Sequence, residues 1–119
     1  MKRPKTIFLD IDGTLIEHSE NISDQLTAEP KILEGTLDTL MEWDRNGYNI
    51  ILTTGRRESA RRVTEGQLSD LGIYYDQLIM GIGGGIRVIV NDRKKNNEYD
   101  TAIAINLKRN EGIQSIKNI

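Results

Sequence analysis

The chain has 119 residues, of which 16 are Lys or Arg and 18 are Asp or Glu, so its formal net charge is −2. This length predicts a single domain over residues 1–119. The absence of cysteine excludes disulfides and thiol chemistry. No apolar run approaches the roughly 20 residues that cross a bilayer, and no long basic run favours nucleic acid. We therefore expect a cytoplasmic protein with no membrane partner and argue against a nucleic-acid partner.

The first half of the chain predicts two strands separated by a helix. An apolar, β-rich run predicts the first strand from Thr6 to Leu9. Apolar residues spaced i, i+4, i+7 and i+8 between Leu33 and Met41 predict a helix with one buried face, and Pro30 suits an early helical position. The run from Tyr48 to Leu52 predicts the second strand.

The second half repeats this alternation. The pattern predicts a helix from Glu58 to Leu71, a short strand from Leu78 to Met80, and further strands at Arg87–Val90 and Thr101–Leu107, with an irregular tail from Lys108 to Ile119. Strands that alternate with helices are typical of parallel sheets covered by helices. We predict an α/β fold of three layers, with a mainly parallel sheet of about five strands.

Two carboxylates follow the first predicted strand directly. Asp10 and Asp12 stand where the apolar run stops and Gly13 introduces a turn. Residues two apart in extended chain point to the same side, so both side chains can reach one ligand. Paired acids beside an apolar strand need a compensating cation, and Mg²⁺ is the usual cation for such oxygen ligands.

Polar residues also follow two other predicted strands. Thr54 and Gly55 end the second strand, and Asn91 and Asp92 end the fourth. Ligands of open α/β sheets bind beyond the carboxyl ends of the strands. The sequence therefore predicts that these groups meet Asp10 at one edge of the sheet, around a metal ion and a phosphoryl group.

Three segments resemble motifs of the haloacid dehalogenase superfamily of phosphotransferases. Residues 10–14 (Asp-Ile-Asp-Gly-Thr) resemble its first motif, residues 50–56 its second, and residues 88–92 its fourth, acidic motif. The resemblance covers most of the chain and implies a Rossmann-like domain. The spacing between motifs leaves no room for a cap domain, so the resemblance is to capless members.

The resemblance also implies roles for the acidic residues. Asp10 would be the nucleophile that forms an aspartyl-phosphate, and Asp12 would exchange protons with the leaving group and the attacking water. Mg²⁺ would bind Asp10, Asp12 through its backbone carbonyl, and Asp92.

Substrate contacts are implied for the second motif. Thr54, Gly55 and Arg56 would bind the phosphoryl group of the substrate. Relatives place a lysine before the fourth strand, whereas this chain has no lysine between Tyr74 and Val90. We expect Lys94 to supply that positive charge, with Lys95 and Arg56 as the alternatives.

The resemblance implies a Mg²⁺-dependent phosphatase of a small phosphorylated metabolite, with a sugar phosphate as the first choice. The pocket would be open, with residues 17–29 as the available flap, and a neighbouring subunit of a homo-oligomer is one way to cover it. Two alternatives stay open: a phosphatase of nucleic-acid ends, and a non-catalytic binding or phosphoreceiver domain. We expect the lone histidine, His18, to lie at the surface without a catalytic role.

Overall fold

The computed structural model describes residues 3–21, 23–24, 29–95 and 99–119. Within them, three parallel strands form one sheet: β1 (Thr6–Asp10), β2 (Asn49–Thr53) and β3 (Gln77–Ile79), in the order β1-β2-β3. The β1–β2 register runs from Thr6 opposite Asn49 to Asp10 opposite Thr53. All three strands therefore end at the same edge of the sheet.

Each connection between the strands contains a helix that the structure describes in full. Helix α1 (Thr36–Arg45) connects β1 to β2, and helix α2 (Arg61–Asp70), preceded by a 3₁₀ turn at Glu58–Ala60, connects β2 to β3. A second 3₁₀ turn occupies Gln114–Ile116. This alternation confirms the predicted α/β class. No helix among the described residues is long and apolar enough to cross a bilayer.

The hydrophobic core is formed by the sheet, the two helices and the C-terminal segment. Ile7 and Leu9 of β1 and Ile50 of β2 are buried in it. Trp43 of α1 is fully buried, and its indole N–H donates to the carbonyl of Lys117. Ile113 in the C-terminal segment is also fully buried, so the predicted irregular tail contributes to the core.

The predicted face of the first helix was wrong in part. Helix α1 begins at Thr36 rather than near Pro30, because residues 31–33 instead pair with the chain that follows β1. Leu37 and Met41, which were expected inside, are exposed, whereas the buried face carries Thr39 and Trp43. The indole of Trp43 buries more apolar surface than a smaller aliphatic side chain does, so the face of α1 that carries Trp43 packs against the core.

The fourth and fifth predicted strands were also wrong. Residues 87–90 and 101–107 are irregular chain outside the sheet. Neighbouring parallel strands need a crossover of a dozen or more residues, and only residues 80–86 separate β3 from Arg87. The molecule is elongated as a result, with extents of 50 × 28 × 25 Å and a radius of gyration of 15.0 Å, where a compact chain of this length has about 13.5 Å.

Candidate active site at the carboxyl edge of the sheet

A tight loop follows β1 and fixes the two first-motif acids. The carbonyl of Ile11 accepts hydrogen bonds from the backbone N–H groups of Thr14, Leu15 and Ile16. Gly13 has φ +87°, a backbone conformation that disfavours any side chain. Its N–H donates to the carbonyl of Ile16 at 2.7 Å. The loop therefore turns back at once and keeps Asp12 at the edge of the sheet.

Asp10 ends β1 with its side chain accessible to solvent. Partial desolvation raises the pKa of Asp10, and repulsion from Asp12 raises it further. A hydrogen bond from the backbone N–H of Ile11 and the positive charges of Arg87 and His18 oppose this rise. A cation or another positively charged group near this carboxylate would therefore stabilise its ionised form.

Asp12 forms a bidentate ion pair with Arg56. The guanidinium Nη2 lies 2.7 Å from Asp12 Oδ1, and Nε lies 2.9 Å from Oδ2. Both side chains are largely buried, with 4% of the arginine and 13% of the aspartate exposed. Such fork-to-fork pairs fix orientation as well as distance, so the Asp12 carboxylate has a defined direction in the site.

Helix α2 holds the same guanidinium from its other side. Arg56 Nη1 donates to Thr64 Oγ1 at 3.1 Å and to Gln67 Oε1 at 2.7 Å. These bonds direct the guanidinium toward protein groups. The predicted role of Arg56 as a substrate ligand stays a prediction, and the geometry favours a role in positioning Asp12.

Thr54 and Gly55 lie where the sequence predicted, directly after β2. Thr54 is buried, and its Oγ1 accepts the backbone N–H of Arg56 at 3.0 Å, which leaves the hydroxyl hydrogen available to donate. A Cβ on Gly55 would approach the carbonyl oxygen of Gly83 to 2.9 Å. Glycine is therefore required at this position by close backbone contact, whether or not its N–H binds phosphate.

A cavity of about 280 Å³ opens beside the loop. It is lined by Asp12 and Arg56, by His18 and Glu29 of the flap, and by Lys31, which follows the flap. Two backbone hydrogen bonds fix the base of the flap: Glu17 N–H donates to the Lys31 carbonyl, and Leu33 N–H donates to the Leu15 carbonyl. Residues 22 and 25–28 of the predicted flap lie outside the described residues.

Asp92 and Lys94 do not join this loop within one chain. Asp92 lines a separate surface hollow together with Asn91 and Asp100, and Lys94 is exposed. In the described part of the chain, no three His, Cys, Asp or Glu side chains come together to hold a metal ion. The metal role of Asp92 and the catalytic role of Lys94 stay predictions.

The donors at the loop nevertheless suit Mg²⁺. This ion takes one or two carboxylates and completes its shell with water and substrate phosphate. Asp10 offers an accessible carboxylate whose pKa is raised by desolvation and by its acidic neighbour. Because the Asp12 carboxylate is engaged by Arg56, its backbone carbonyl is the oxygen left to bind a metal ion.

Sequence reasoning missed the two positive side chains that act on Asp10. Arg87 and His18 both lower the Asp10 pKa electrostatically. Arg87 directly precedes the fourth motif, and that position was the available signal for a positive charge near Asp10. His18 follows the first-motif loop, and its backbone N–H donates to Asn110 Oδ1 at 2.7 Å.

Chains of several solved structures are similar to this chain. Chains of the Pnkp1/Rnl/Hen1 complex and of the Pnkp1/Rnl/Hen1 RNA repair complex are 29% and 27% identical, with TM-scores of 0.54 and 0.57 over 71% and 82% of this chain. This chain spans only 30% and 28% of their length. A crystal structure from Vibrio cholerae, 20% identical with a TM-score of 0.53, shares the fold over 76% of this chain and 82% of its own length.

No curated protein matches the sequence. A family model described as haloacid dehalogenase-like hydrolase matches residues 7–107, a range that includes the loop after β1, the Thr54–Arg56 turn and Asp92. The chain belongs to the haloacid dehalogenase-like hydrolase family.

Proposed function

We propose that this chain is a Mg²⁺-dependent phosphomonoester hydrolase that works through an aspartyl-phosphate on Asp10. Its substrate would be a small phosphorylated metabolite, with a sugar phosphate as the first choice. One observation carries the proposal: an accessible Asp10 carboxylate lies beside Asp12, whose direction is fixed by the bidentate pair with Arg56.

In the first step, a carboxylate oxygen of Asp10 attacks phosphorus and the bond from phosphorus to the substrate oxygen breaks. Asp12, in its protonated form, gives its proton to that leaving oxygen, so an alcohol departs rather than an alkoxide. Because the pair with Arg56 fixes the direction of Asp12, the carboxyl group has one defined orientation for this proton transfer.

In the second step, water attacks the phosphorus of the aspartyl-phosphate. Asp12 takes a proton from this water, the bond from phosphorus to Asp10 breaks, and inorganic phosphate leaves with Asp10 free again. Thr54 has a hydroxyl hydrogen available for a phosphoryl oxygen.

The family generally uses Mg²⁺. Asp10, the carbonyl of Asp12 and the predicted ligand Asp92 would hold it, and its charge reduces the repulsion between carboxylate and phosphate.

The test is release of inorganic phosphate from 4-nitrophenyl phosphate, with Mg²⁺ present and then chelated. Asp10→Asn keeps the shape of the side chain but removes the nucleophile, and we expect the rate to fall at least about 10³-fold. Asp70→Asn, at an exposed acid that ends α2, is the matched control and should keep the wild-type rate. Equal rates for Asp10→Asn and wild type would favour the non-catalytic binding domain.

A second candidate substrate is the phosphorylated end of a nucleic acid. The similarity to chains of an RNA repair complex favours it, whereas the net charge of −2 opposes it. Comparing kcat/KM for a phosphorylated oligonucleotide and for a panel of sugar phosphates separates the two. A nucleic-acid substrate would also show a steep loss of affinity as salt rises.

A further inference from the structure

An extended excursion of the chain leaves the body of the molecule after β3, and we name residues 86–95 and 99–105 the arm. Its outgoing and returning halves contact each other near the far end. Thr101 Oγ1 donates to the Asp92 carbonyl at 2.7 Å, Asn91 Nδ2 donates to the Thr101 carbonyl, and Arg93 pairs with Asp100 at 2.7 Å. The two described halves of the arm therefore lie side by side and project from the body of the molecule, whose long axis is 50 Å.

The arm carries apolar side chains that the body does not cover. Ile86, Val88 and Val90 of the outgoing half are 94%, 78% and 87% exposed, and Ile103 of the returning half is 70% exposed. Isolated exposed apolar residues are ordinary, but a contiguous set on a projecting segment marks an interaction surface. The β-branched side chains are those that strands prefer.

Among the described residues, one edge of β1 is not paired with another strand. Within the described residues, β1 pairs with β2 on one side and with no strand on the other. Phe8, in the middle of β1, is 56% exposed. An open strand edge with an exposed aromatic residue is a template for another strand.

The arm of the same chain cannot fill this edge and also deliver Asp92. The arm begins at the carboxyl edge of the sheet, where Gly81 N–H donates to the Arg56 carbonyl and Ile82 N–H donates to Thr54. Residues 80–86 are too few for the crossover that parallel pairing requires. Antiparallel pairing would carry Asp92 away from Asp10, toward the opposite edge of the sheet.

We propose that two copies of this chain exchange arms, so that the outgoing half of each arm pairs in parallel with β1 of the other copy. The exchange completes both sheets by a two-fold symmetric contact. It also brings Asp92 of the partner subunit to Asp10 and supplies a third carboxylate, which the described residues of a single chain do not bring to this site. Only this last role rests on the proposed function.

Cross-linking tests the exchange without any activity assay. If Asp92 lies opposite Asp10 in the parallel pairing, Val90 lies opposite Phe8. Residues opposite each other on neighbouring strands are close enough for a disulfide. The chain has no cysteine, so Phe8→Cys and Val90→Cys each add one thiol. We mix the two variants by joint refolding and oxidise them. A disulfide-linked species of twice the chain mass is the expected result.

Met41→Cys replaces Phe8→Cys in the control, because Met41 is equally exposed but lies on α1; it should give no linked species with Val90→Cys. The double variant Phe8→Cys/Val90→Cys should also link between chains. A disulfide within one chain of that double variant, or a monomeric wild type in light scattering, would overturn the exchange.

Activity then tests the shared site. Asp10→Asn and Asp92→Asn should each be inactive alone, and their joint refolding should restore about one quarter of the wild-type rate. Half of the dimers are then mixed, and each mixed dimer has one intact site. Cross-linking without restored activity in the mixture, given an active wild type, would remove Asp92 from the site while keeping the exchange. An inactive wild type that still cross-links would remove the proposed function alone.

Discussion

The Arg56 guanidinium joins the first-motif loop to α2 through four hydrogen bonds. Two go to Asp12, and one each goes to Thr64 and Gln67. Side chains held on both sides in this way keep a catalytic group within the narrow range of directions that proton transfer requires. In the proposed mechanism, the guanidinium therefore acts by positioning Asp12.

Replacing Arg56 with lysine should keep the charge but remove the bidentate geometry. We expect kcat to fall about 10–100-fold for an alkyl phosphate and less than about 10-fold for 4-nitrophenyl phosphate, because a good leaving group needs less help from Asp12. The KM should change little. Steady-state kinetics with both substrates measures the difference.

Gln67→Met is a milder companion variant, since it removes one bond from Arg56 at similar side-chain length. It should show the same dependence on the leaving group with a smaller loss. A raised KM with unchanged kcat in Arg56→Lys would instead support the predicted role of Arg56 as a substrate ligand.

At the scale of elements, the buried face of α1 carries both polar and apolar side chains. Thr36 and Thr39 are both fully buried. Thr36 Oγ1 donates to the Leu15 carbonyl at 3.0 Å and so ties the helix to the loop after β1. Among the described residues, Thr39 Oγ1 is buried without a hydrogen-bond partner, and such a hydroxyl opposes folding.

These two threonines give a matched pair of predictions, because Thr→Val has the same shape at both positions. Thr36→Val should lower the free energy of unfolding by about 1 kcal/mol, and Thr39→Val should leave it unchanged or raise it by up to about 1 kcal/mol. Urea denaturation followed by circular dichroism measures both. An equal loss in the two variants would contradict the assignment of the unpaired hydroxyl.

For the molecule as a whole, the C-terminal segment closes the core. Ile113 is fully buried among residues of the sheet and helices. Asn110 N–H donates to the Gly13 carbonyl at 2.8 Å, and the Trp43 indole N–H donates to the Lys117 carbonyl at 3.0 Å. The segment therefore supports both the loop after β1 and α1.

Ile113→Ala should lower the free energy of unfolding by about 2–5 kcal/mol, because it leaves a cavity in the core. Leu37→Ala, at an exposed position of α1, is the control and should change it by no more than about 0.5 kcal/mol. Thermal and urea unfolding measure both. A loss below about 1 kcal/mol for Ile113→Ala would mean that the segment packs only loosely on the body.

Much of the sheet followed from local pattern. The apolar runs located β1, β2 and β3 within one or two residues, because short runs rich in β-branched and apolar residues between polar segments favour strands. The exposed side of α1 did not follow, since the packing of Trp43 and the loop contact of Thr36 outweigh aliphatic spacing. The strands predicted at residues 87–90 and 101–107 are absent from the sheet. Their composition favours strands, but the connection from β3 to Arg87 is too short for the crossover that parallel pairing needs.

The sequence by itself determined the family resemblance, the α/β class and the meeting of Asp10 with Asp12, because these depend on local spacing and on where a strand ends. Tertiary structure alone decided that Arg56 faces Asp12 and α2, that Arg87 and His18 act on Asp10, and that Asp92 lies outside the loop within one chain. Those relations join residues far apart in sequence, and their distances depend on how the elements pack rather than on any local pattern.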